Sequence, residues 1–80
     1  MSRYFFHIHD GVSIPDTEGT ELDSVDDVLK QSIEFAGKTL VDLGQAFWNS
    51  EKWQLEVVDQ AGEQVLTLEF EGRLGTRFQN

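Results

Sequence analysis

Two histidines stand two residues apart, with an aspartate beside the second, in the stretch RYFFHIHDG at residues 3–11. On an extended chain successive side chains point to opposite sides, so His7 and His9 emerge on one face. Two imidazoles so placed are half of a zinc-type donor set, and a carboxylate extends it. His7, His9 and Asp10 are therefore the candidate metal ligands. Asp10 points the other way if the strand continues and swings round if the chain turns. A third ligand would otherwise come from Glu56, Asp59 or Glu69. An imidazole beside a carboxylate is also a general base near neutral pH, so a hydrolytic reading of His7 and His9 stands next to the metal one. No serine, threonine or cysteine is an obvious nucleophile, and Ser13 is too generic to count. The competing reading is structural: half-exposed histidines beside Phe5, one of them bonded to a neighbouring carboxylate or carbonyl. That reading outweighs the metal.

The remaining chemistry is thinner. Asp16, Glu18 and Glu21 form an acidic loop that lacks the ligand ladder of a calcium loop. A solvated loop in which Asp16 caps its own turn explains it better. Gly11, Gly19 and Gly62 are isolated, and none opens a glycine-rich strand–loop–helix motif, so nucleotide binding is not expected. No cofactor is implied.

The elements that must position these residues follow from periodicity. Arg3–His9 is a strand with Tyr4, Phe6 and Ile8 on one face and Arg3, Phe5, His7 and His9 on the other. Asp10-Gly11 is a turn signal, and a short strand around Val12–Ile14 returns, limited by Pro15. The stretch PDTEGTEL reads as a loop. A long helix follows, with an apolar stripe at Val25, Leu29, Ile33, Ala36, Leu40, Leu43 and Phe47 and Ser24 or Asp23 as its cap. Asp26 and Asp27 lie in its first turn, where carboxylates meet the positive end of the helix. Gly44 is placed to end it. Two alternating strands, KWQLEVVD and EQVLTLEF, close a hairpin through DQAG, with Trp53, Leu55, Val57, Leu66, Leu68 and Phe70 facing inward. The expected fold class is α+β: a small antiparallel or mixed β-sheet in β-β-α-β-β order, with one long helix packed on one face. Residues 1–71 form a single domain and residues 72–80 a C-terminal tail.

Size and charge narrow the functions. Eighty residues support one modest core, with roughly 4,900 Å² exposed when folded. Fifteen acidic against six basic residues give a formal charge of −9. That opposes nucleic acid and anionic lipid, and it favours a basic partner if there is one. There is no cysteine, so disulfides and thiolate metal sites are excluded. No apolar run approaches the ~20 residues of a membrane span. The N-terminus does not read as a signal peptide, so the cytoplasm is the expected location.

The segments RYFFHIHDG, PDTEGTEL, the long helix and W…LEVVDQAGEQVLTLEF together resemble the domain of unknown function 6894, a family of short bacterial proteins, mostly from rhizobia and related soil bacteria. The likeness spans about residues 3–70. It is carried by Arg3, Tyr4, Phe5, Phe6, His7, Asp10 and Gly11, then Asp16, Glu18, Gly19 and Leu22, then Asp59, Gly62 and Phe70. It implies no activity, cofactor or partner.

The favoured function is contact with protein, as a self-associating homodimer or with a protein partner, rather than catalysis. The expected surface is the open sheet face: Arg3, Phe5, His7, Val58 and Val65, rimmed by Trp48. A metal-binding or hydrolytic role for His7 and His9 is the alternative. A third reading, a small antitoxin-like regulator, rests on size and architecture alone.

Overall fold

In the computed structural model, which describes residues 2–78, the chain forms five strands and one long helix. The strands are β1 (Ser2–His9), β2 (Ser13–Ile14), β3 (Thr20–Leu22), β4 (Lys52–Val58) and β5 (Gln64–Glu71); the helix α1 is Val25–Leu43. The sheet is antiparallel in the order β2-β1-β4-β5, and β3 also pairs with β1. Both short strands lie on the side of β1 away from β4: Ile14 pairs with Ile8 at one end, and Leu22 pairs with Ser2 at the other. The fold is α+β with a helix on the sheet, as the periodicity predicts. The order differs by one strand, because Thr20–Leu22 pairs with β1 instead of remaining loop.

Each boundary has a local cause. Asp10 and Gly11 make the turn into β2; the Asp10 N–H donates to the Val12 carbonyl, and Gly11 takes φ 76°, open to glycine without a Cβ clash. Ser24, in extended conformation, accepts the Asp27 N–H at 3.2 Å and caps α1. Gly44, at φ 54°, ends α1, and a short 3₁₀ segment (Gly44–Asn49) continues the chain. The β4–β5 turn closes on Asp59, whose Oδ1 accepts the N–H groups of Ala61 and Glu63, both at 2.9 Å.

The inner sheet face is the one expected. Tyr4 and Phe6 from β1 and Trp53, Leu55 and Val57 from β4 are buried. Ile8, Leu66, Leu68 and Phe70 are partly buried against them. Phe6 meets Phe35 of α1 edge to face, ring centroids 6.0 Å apart.

The helix presents a different face from the one its largest apolar residues suggest. Val28, Ser32 and Ala36 are buried, with Phe35 and Leu43 partly buried against the core. Val25, Leu29 and Ile33 are 54%, 48% and 60% exposed, so these members of the predicted stripe face water. The reason is geometric. Rows offset by one residue lie about 100° apart on a helix of 3.6 residues per turn, so a flat sheet covers one of them and not both. The sheet takes the small-residue row instead. Ser32 fits there because its hydroxyl donates to the Leu29 carbonyl at 2.7 Å, leaving no polar atom unmet.

Leu55→Ala should therefore cost about 2–5 kcal/mol of stability, whereas Val41→Ala, at a site 80% exposed, should stay within about 0.5 kcal/mol. Urea unfolding of the two variants at low protein concentration checks this; similar losses for both would refute the face assignment.

Candidate functional site: the outer sheet face and the outward side of the helix

The outer sheet face is built from rows of cross-strand neighbours. Phe5 lies opposite Val58, His7 opposite Glu56, and His9 opposite Gln54. On the far side Glu56 faces Thr67 and Gln54 faces Glu69. His7 and His9 do share this face, as their spacing requires.

Their ring nitrogens, however, are engaged separately. The gap along β1 between β2 and β3 is filled by Asp16. Its Oδ2 accepts the Phe6 N–H at 3.1 Å, and its Oδ1 accepts the N–H groups of Glu18 and Gly19 at 3.1 and 3.0 Å. The Asp16 N–H in turn donates to His7 Nδ1 at 3.0 Å. His7 thus carries its proton on Nε2 in this arrangement. Its ring stacks on Phe5, with centroids 6.4 Å apart and planes 13° from parallel. His9 stands between Ser13 Oγ, 3.0 Å from Nδ1, and Glu56 Oε1, 3.5 Å from Nε2. Asp10 turns away and accepts the Ser50 hydroxyl at 2.6 Å. Each of the three candidate metal ligands therefore has its own separate partner. Among the described residues no group of three or more His, Asp or Glu side chains is arranged to hold a metal ion.

Burial raises the Asp16 carboxyl, but the N–H donors of Gly19, Phe6 and Glu18, together with neighbouring His7, outweigh it. The group is held below the ordinary carboxylate range. Gly19 completes the loop. It sits at φ 77°, where a Cβ would come within 2.8 Å of Arg3 Cγ and 2.9 Å of the Phe5 ring. Arg3 clamps the same loop, donating to the Glu18 carbonyl at 2.8 Å and pairing with Glu21 of β3 at 2.9 Å.

The expected interaction surface is therefore dispersed. Arg3 is committed to the loop, Phe5 is overlain by Gly19, and His7 is bonded to Asp16. Val65 occupies the irregular step in the β4–β5 register and packs against the core, because the bulge breaks strict alternation. Trp48 packs on Phe47 and over Gly72, next to the Lys52–Glu71 end of the hairpin. Val58 lies at the other end of β4, roughly 20 Å of strand away.

A surface that the periodicity did not identify lies on α1. Val25, Leu29, Ile33 and Val41 are exposed and spaced in fours, with Gly37 completing the row. The charged residues contained the signal for it. Asp26, Lys30, Glu34, Lys38 and Asp42 form the adjacent row. On a helical wheel of about 100° per residue, Glu34 is about 160° from Ser32 and Ala36 but only about 100° from Ile33. The face opposite the charges is the small-residue one.

One further cleft of about 440 Å³ opens beside His9, lined by Val12, Ser13, Ser50, Lys52 and Gln54. No helix among the described residues is long and apolar enough to cross a membrane.

These elements define a small α+β domain whose β1 edge is closed by an aspartate-centred loop. The chain belongs to the family described as Domain of unknown function (DUF6894), whose model matches residues 3–71. No curated protein and no solved structure matches it.

Asp16→Ala should cost about 1–3 kcal/mol at pH 7, since it leaves backbone donors of β1 and the loop without their charged acceptor. The folded-state pKa of Asp16 is depressed, so its contribution is complete above the unfolded value near 3.8 and is lost as pH falls through the lower folded value. The gap between wild type and Asp16→Ala should accordingly narrow below about pH 3.5. Urea titrations at pH 7 and pH 3 measure it; a gap that widens on acidification would reverse the sign of this account.

Proposed function

We propose that this chain is a non-enzymatic association module that binds protein through the outward row of α1. The observation that carries the reading is Val25, Leu29, Ile33 and Val41, four large apolar side chains on one helix, each about half exposed or more. Single apolar residues on a surface need no explanation, but an aligned series does.

The dimensions of the molecule support it. The chain exposes 5757 Å², where a compact 9.1 kDa protein exposes about 4,900 Å². The excess, roughly 850 Å², is shared between the exposed α1 row and the exposed segment after β5. The radius of gyration is 14.3 Å and the extents are 50 × 21 × 18 Å; a compact 80-residue domain has a radius near 12 Å. The surface expected at the open sheet face is better served here, because the imidazoles and Arg3 of that face are already occupied within the chain.

A second reading keeps a specific observation of its own. Ser13, His9 and Glu56 form a hydroxyl–imidazole–carboxylate chain at the edge of an open cleft, which is the arrangement of an activated nucleophile. In this reading Ser13 attacks an activated ester carbonyl and His9 takes the hydroxyl proton. Release of p-nitrophenol from an acetate ester, abolished by Ser13→Ala and by His9→Gln, would support it. Equal rates for wild type and both variants would end it.

For the association reading, Ile33→Asp should weaken self- or partner binding by at least tenfold while preserving the far-ultraviolet circular dichroism, since Ile33 is 60% exposed and outside the core. Sedimentation equilibrium of the free protein and affinity capture from its native cell read the two kinds of binding. Unchanged binding in both would remove the helix row as the contact.

A further inference from the structure

We infer that the occupant of the α1 row is a second copy of this chain, its helix running antiparallel across a two-fold axis close to Gly37. This rests on the association reading and names the partner and its register.

Gly37 is the first reason. It sits in the middle of a 19-residue helix, with no atom within 4 Å of a Cβ built on it and no positive φ. Glycine there weakens the helix by about 1 kcal/mol relative to alanine, and nothing in the single chain offsets that. A crossing helix does, because the missing side chain lets two backbones approach at the contact point.

Charge is the second. Among the described residues none of Lys30, Glu34, Lys38 and Asp42 makes an ion pair within the chain. Reversing the helix about a point between Ala36 and Gly37 sets Ile33 against Val41 of the second copy. The same reversal sets Glu34 against Lys38 and Lys30 against Asp42, each to within about one residue of rise. The two-fold generates every pair twice. Parallel pairing about an axis along the helices would instead carry this charged row to opposite sides of the seam, where none of these pairs forms. Lys30 and Lys38 are the only lysines of the helix, so this side is also where a chain of charge −9 repels its own copy least.

The rival place for a second copy is the free edge of β5. That strand and its turn carry Glu63, Glu69 and Glu71, and carboxylates along an edge disfavour pairing with the same edge.

The chain has no cysteine, so one introduced thiol reports position without interference. Under mild oxidation Gly37→Cys should form a disulfide-linked dimer readily. Val25→Cys should not, since antiparallel helices hold the two residues 25 roughly 35 Å apart. Thr67→Cys, on β5, should not either. Lys38→Glu should weaken the dimer about tenfold, and Glu34→Lys combined with Lys38→Glu should restore it. Cross-linking of Val25→Cys as fast as Gly37→Cys would establish a parallel pair and overturn the register. Cross-linking confined to Thr67→Cys would move the contact to the β5 edge. In both cases association itself would stand. A wild-type chain that stays monomeric at high micromolar concentration in sedimentation equilibrium would overturn the second-copy inference; if Ile33→Asp then also leaves capture from the native cell unchanged, the association reading falls with it.

Discussion

The carboxylate of Asp16 completes the outer edge of β1, and much of the molecule's chemistry is decided by it. β1 has β4 on one side and only two short strands on the other, leaving a gap where the Phe6 N–H would face water. One aspartate accepts that N–H and two N–H groups of its own loop, while its backbone donates to His7. A buried or half-buried main-chain donor left without an acceptor costs about as much as a lost hydrogen bond. The loop therefore closes the strand as a third short strand would, but with a charged side chain as the acceptor. Gly19 lets that loop lie flat on Arg3 and Phe5.

That arrangement also decides where the imidazole lone pairs point, and among the described residues no group of three or more His, Asp or Glu side chains is arranged to hold a metal ion. Ligand geometry requires free lone pairs that converge, and strand alternation supplies only the shared face. His7 spends Nδ1 on the Asp16 N–H, and His9 is held between Ser13 and Glu56. Asp10 leaves the face altogether at the turn. Each imidazole instead ties a different neighbour to β1: His7 the loop, His9 the short strand β2 and the central strand β4.

The strands and the helix limits were legible in the sequence because they obey short-range rules. Alternation separated Phe6 from Phe5 and Leu55 from Glu56, and Ser24, Gly44 and Gly62 marked ends that local hydrogen bonding demands. What was not legible involved choices between distant segments. Thr20–Leu22 is a strand only because β1 offers it an edge. Val65 turned inward because of a register irregularity that alternation does not anticipate. On the helix, two apolar rows competed, and size was a poor guide. The sheet packed against Val28, Ser32 and Ala36, where small side chains allow close approach, and the larger Leu29 and Ile33 were left outside.

That last choice links packing to association. Had α1 turned Leu29 and Ile33 inward, Val28 and Phe35 would have swung out to the surface in their place. The observed orientation buries Val28 and part of Phe35 and leaves Leu29 and Ile33 in water, where burial would contribute on the order of 1.5–3 kcal/mol for each residue of this size. A single chain gains close helix–sheet contact in return but leaves an exposed apolar row. An assembly recovers the same apolar area between molecules, at the cost of the translational and rotational freedom that association always removes. Which term wins depends on concentration, so under the proposed association stability would rise with protein concentration. The same sheet that needs Ser32 and Ala36 for its own packing thereby leaves Leu29 and Ile33 in water, the row on which the proposed association rests.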